Sequence, residues 1–93
     1  MDTPKIATNK TEEELEKETV KWLSKLEEEW PSAKPTGLLG KEAIASVTEN
    51  VEAYMKDCRH FMQKGDWVHA FEAIVYAWGI FDAATRMHAL VKG

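Results

Sequence analysis

Apolar residues recur along this chain in three helical patterns separated by two breaks. In the first, Leu15, Trp22, Leu23, Leu26 and Trp30 share a stripe with Thr19. At about 100° per residue these positions fall on one face of a helix. The opposite face is rich in Glu and Lys, with Glu13 and Lys17 spaced to pair along it. Thr11-x-x-Glu14 reads as a capping box, and Glu12, Glu13 and Glu14 put negative charge at the positive end of the helix dipole. The pattern predicts a helix over 11–30, stopped by Pro31. Residues 1–10 are polar and without period, and read as a flexible N-terminal arm.

The loop Pro31-Ser-Ala-Lys-Pro-Thr-Gly37 is stiffened by its two prolines and turned by its glycine. The second helix, predicted over 38–64, has the clearest stripe: Ile44, Val47, Val51, Tyr54, Met55, Cys58, Phe61 and Met62. Gly65 ends it and Asp66 is placed to cap the next. So short a connection folds the second and third helices back antiparallel. The third helix, predicted over 66–91, is apolar around more than half its circumference. A helix of that kind is contacted by both neighbours and sits at the centre. Its exception is a stripe of Glu72, Gly79, Asp82 and Arg86, with Val75 between. The sum is an all-α, antiparallel up-down-up three-helix bundle over 11–93, its helices spanning roughly 30–40 Å.

Bulk properties narrow the function. A chain of 93 residues has room for one domain. Its net charge of -4 has the wrong sign for a sequence-independent nucleic-acid binder. One cysteine, Cys58, makes neither an internal disulfide nor a cysteine zinc site, and suits a reducing cytoplasm. The longest apolar run, Ala73 to Phe81, is nine residues, against about 20 for a membrane helix. Neither a membrane association nor a cofactor is expected.

Candidate chemistry is sparse. Asp57-x-x-His60 and Asp66-x-x-His69 resemble half of a di-iron site, but the first helix offers no inward carboxylate. No metal site is expected. No nucleophile–base–orienter set forms, because Ser24, Ser32 and Ser46 lie in polar or loop contexts. Gly37-Leu-Leu-Gly40 lacks the Lys-Ser/Thr of a phosphate loop. Tyr54 and Tyr76 flank apolar stripes, where their hydroxyls are expected to bond to Asp57 or Asp82 and set register. Trp22 and Trp78 read as core, whereas Trp30 and Trp67 sit at helix ends and are expected to be partly exposed. Glu72, Gly79, Asp82 and Arg86 have two readings. One is an interaction surface on which Gly79 admits another backbone. The other is close helix packing at Gly79 beside an ordinary Asp82–Arg86 pair.

Residues Tyr54-x-x-Asp57-x-x-x-Phe61-x-x-x-Gly65-Asp66 and Ala70-Phe-Glu-Ala-Ile74-x-Tyr76-Ala77-x-Gly79-x-x-Asp82-Ala83 resemble a family of short archaeal proteins, DUF357, a domain of unknown function. Cys58 departs from the small residue expected there. The resemblance implies a three-helix bundle, an archaeal source and no established activity, and it supplies no catalytic residues. The same pattern is similar to helical RNase-type domains of toxin–antitoxin systems. Their Arg-x(4–6)-His motif is absent: neither Arg59 nor Arg86 is followed by histidine at those spacings.

The expected function is a non-catalytic helical module for protein interaction or self-association. Trp30, Trp67, Glu72, Gly79, Asp82 and Arg86 are its contact candidates, and Tyr54, Asp57, Asp66 and Tyr76 are its structural polar groups. The expected partner is another protein or a second copy. An RNA-associated accessory protein is the alternative and needs a cluster of Lys41, Lys56, Arg59 and Lys64. A small enzyme or metal binder is third.

Overall fold

A computed structural model describes the backbone of residues 3–92 and the side chains of residues 10–92. Three helices form an all-α bundle: α1 (Thr3–Glu29), α2 (Lys41–Gln63) and α3 (Trp67–Arg86). The described helix α1 begins well before the capping box at Thr11. The physical reason lies in the composition. Pro4 is tolerated in a first turn, and nothing from Lys5 to Lys10 breaks a helix. Side chains from Lys10 to Glu14 are all exposed, so this part of α1 projects past the core. The molecule is accordingly long, 58 × 21 × 18 Å.

Pro31 does end α1. A single 3-10 turn, Trp30–Ser32, follows, with Ser32 Oγ donating to the Glu29 carbonyl at 2.9 Å. Beyond it lie two strands that the helical pattern does not predict. β1 (Ala33–Pro35) pairs antiparallel with β2 (Leu90–Lys92), aligning Lys34 with Val91. The predicted third helix therefore stops at Arg86 and not at residue 91. His88 takes a left-handed φ of 61°. Its N–H donates to the Thr85 carbonyl, and Ala89 N–H donates to the Ala84 carbonyl at 2.9 Å. These two bonds close a Schellman motif with histidine where glycine is usual. Thr36 fastens the ribbon: its N–H donates to the Ala89 carbonyl at 3.1 Å, and its hydroxyl reaches the His88 carbonyl.

α2 starts at Lys41, three residues later than predicted. Gly37 has φ +93° and the Thr36 hydroxyl accepts from Leu38 N–H, so residues 36–39 form a turn. Gly40, extended, then precedes the helix. At the other end Gly65 behaves as read. With φ +73° it closes a second Schellman motif, Gly65 N–H to the Met62 carbonyl and Asp66 N–H to the Phe61 carbonyl.

α3 is the central helix, and both α1 and α2 pack chiefly on it. Its inward face is Ala70, Ala73, Ile74, Ala77, Phe81 and Ala84. The alanines let the neighbouring helices come close, while Ile74 and Phe81 fill the space between them. Leu23 and Leu26 enter from α1, and Val51, Met55 and Cys58 from α2. The stripes read from the sequence thus face the core.

Candidate functional site

Two seams flank α3. On the α1 side, Trp22 and Trp78 meet edge to face at 5.7 Å, and Trp78 Nε1 donates to the Trp22 carbonyl at 2.9 Å. On the α2 side, the rings of Tyr54 and Tyr76 lie 5.4 Å apart, tilted by 33°. Their hydroxyls make no bond to Asp57 or Asp82 among the described residues. Six positions along α3 turn Asp82 about 240° from Tyr76, out of its reach. The tyrosines set register through their rings instead. Asp57 is exposed and makes no side-chain hydrogen bond or ion pair among the described residues.

The ends of the bundle are held by polar contacts. Asp66 caps α3, accepting from His69 N–H at 3.2 Å and meeting His69 Nδ1 at 2.7 Å. The backbone N–H of His69 is the main reason that the Asp66 carboxyl titrates below its ordinary range. At the other end Trp30 Nε1 donates to Glu52 at 3.2 Å, and the Trp30 ring meets Phe81 edge-on. Lys92 Nζ stands 2.8 Å from Glu29 Oε1 as an ion partner, in poor hydrogen-bond alignment. Arg59 donates twice to Glu27, at 2.9 and 3.1 Å, tying α2 to α1. That pair neutralises the one arginine of the basic cluster an RNA contact needs.

Cys58 is fully buried, its Sγ 3.9 Å from Met62 Sδ. Burial pushes its thiol from 9.0 up to about 11. The folded protein keeps the proton over a range where the unfolded chain loses it. Stability is therefore expected to fall as pH rises through 9.0 toward 11. Ellman's reagent at mildly alkaline pH should leave Cys58 unmodified until denaturant is added. Prompt labelling of the native protein would show that α2 opens easily.

Of the contact candidates, Trp30 and Trp67 are half-buried at opposite ends of the bundle, and neither lines the groove beside Gly79. Trp22 and Trp78 are half-buried too. Glu72, Gly79, Asp82 and Arg86 do share one exposed face of α3. Arg86 Nε donates to Asp82 at 2.9 Å, the i,i+4 pair expected. Gly79 is not a close-packing site among the described residues, because a Cβ placed there would meet none of them within 4 Å. Along the same side of α3 stand apolar side chains left open: Val68 (63% exposed), Val75 (49%), Tyr76 (54%) and Met87 (56%). Beside Gly79 a groove of about 410 Å³ runs between α1 and α3, lined by Trp22, Phe71, Val75, Trp78, Gly79 and Asp82. Trp22 is the residue the linear pattern misses here, since nothing local brings it to Gly79. Among the described residues no three His, Cys, Asp or Glu side chains are placed to hold a metal ion. No described helix is long and apolar enough to cross a membrane.

These features define a three-helix bundle whose central helix keeps one apolar face open. The chain belongs to the DUF357 family, described as proteins of unknown function, whose pattern matches residues 21–90. That span includes every residue from Tyr54 to Ala83 on which the resemblance rests. The crystal structure of AF1782 from Archaeoglobus fulgidus, of the same family, is similar. It shares 35% identity over 89% of this chain and 99% of its own, with a TM-score of 0.77. No curated protein matches.

Proposed function

We propose that this protein is a non-catalytic helical interaction module whose docking surface is the outward face of α3. One observation carries the reading. Val75 and Tyr76 lie open beside Gly79, whose Cβ position no described residue reaches within 4 Å, and Val68 and Met87 lie open further along the same side of the helix. Single exposed apolar residues are ordinary, but a cluster on one helix face marks a contact surface. The buried, unpaired Cys58 supports action in a reducing compartment, the cytoplasm.

Replacing Val75 by a photo-crosslinking amino acid tests this in lysate of the native host, with Lys56 on α2 as the control position. The expected result is one identified, stoichiometric protein adduct from position 75, of this chain or another, and none from position 56. Absence of any protein adduct at 75, or recovery of RNA at 56, would overturn the reading.

A further inference from the structure

Charge and register on the α3 face identify its occupant. We infer that a second copy of this chain docks there, its α3 antiparallel to the first, with Gly79 of both copies at a two-fold axis. This rests on the interaction reading above and names the partner.

Three observations converge. First, at about 100° per residue Val68, Glu72, Val75, Gly79, Ala83 and Arg86 fall within a wedge of about 80°, with Gly79 near its centre. Gly79 is the low point between taller neighbours. Glycine inside a helix is unfavourable relative to alanine, and among the described residues no turn, positive φ or packed neighbour accounts for it. Close approach of a second backbone does.

Second, the face is self-complementary. Glu72 stands seven residues before Gly79 and Arg86 seven after it, about two turns each way on one face. In a two-fold pair each patch meets its own copy, so every contact occurs twice. Antiparallel pairing about Gly79 sets Glu72 against the partner's Arg86, and Arg86 against the partner's Glu72. Parallel pairing sets like charges against each other. Third, the pair is prepared. Asp82 engages Arg86 through Nε, leaving both terminal nitrogens free, and Glu72 makes no ion pair among the described residues. Tyr76 then lies over the partner's Ala83, on the same side of the contact. A single helix crossing falls at the small end of stable interfaces, below about 1,200 Å² in total, so micromolar affinity is expected.

Sedimentation equilibrium of the full chain, from low micromolar to near-millimolar, tests the inference. Variants are Glu72→Arg, Arg86→Glu, the double reversal and Gly79→Leu. All three positions are exposed, and circular dichroism checks that each variant folds. Wild type should show a monomer–dimer equilibrium. Each single reversal should weaken it roughly tenfold or more by opposing like charges. The double reversal should restore it to within about threefold, because the pairs are re-formed with signs exchanged. Gly79→Leu should abolish it. A monomer at every concentration overturns the second-copy assignment, as does a dimer indifferent to these variants or single reversals that the double does not rescue. A monomer that still gives a foreign adduct at position 75 leaves the interaction reading standing and removes this inference alone.

Discussion

Phe81→Ala is expected to lower the unfolding free energy by about 3–5 kcal/mol in chemical denaturation. Phe81 is fully buried where the end of α1, α3 and β2 meet. The edges of Trp30 and Trp78 approach its ring, each with centroids 5.7 Å away, and Lys92 Nζ lies 5.8 Å from its centroid. Truncation removes the shared partner of two tryptophans. Neither can close the void without giving up its own hydrogen bond, Trp30 to Glu52 and Trp78 to the Trp22 carbonyl. That rigidity places the cost in the upper range for large-to-small changes. A small domain has about 5–15 kcal/mol in total, so the variant should be close to unfolding at room temperature. A loss under about 1.5 kcal/mol would mean that this end of the bundle collapses freely.

Thr19→Val is expected to raise stability by about 1–2 kcal/mol. Thr19 is fully buried on the core side of α1, and its hydroxyl has no hydrogen-bond partner among the described residues. Folding strips that oxygen of water without replacing the bond. Valine has nearly the same shape and keeps the β-branch, so packing is preserved while the desolvation cost disappears. Thr19→Ser is the matching control: it keeps the stranded hydroxyl, removes a methyl and should destabilise. A thermal melt of the two variants beside wild type decides the matter. Destabilisation by valine would show that the hydroxyl is hydrogen-bonded in solution.

How far the sequence could be read depends on the range of the interaction. The stripe from Ile44 to Met62, the Gly65 stop and the Asp66 cap rest on contacts within a turn or two, and they stand in the structure. The apolar girth of the third helix correctly marked it as central. Thr11 misled because a capping box is a local signal that a continuing helix overrides when no breaker precedes it. Ala33–Pro35 and Leu90–Lys92 were illegible for the opposite reason. Each is three residues long, too short for a period, and exists only by pairing with a segment more than fifty residues away. The candidate face was legible in part. Glu72, Gly79, Asp82 and Arg86 share it as their spacing implies, whereas Trp30 and Trp67 are held elsewhere by tertiary packing. That Gly79 faces open space is a property of where α1 and α2 stop covering α3, and no spacing along one helix reports it.

The projecting start of α1 has a hydrodynamic consequence. A 10.6 kDa chain stretched to 58 Å along one axis and about 20 Å across the others drags more solvent than a sphere of its mass. It will diffuse slowly and leave a gel-filtration column early, at the position of a heavier globular protein. Elution volume alone therefore confounds the elongation of one chain with partial dimerisation. Only methods that weigh the particle, such as static light scattering or sedimentation equilibrium, separate one elongated chain from two.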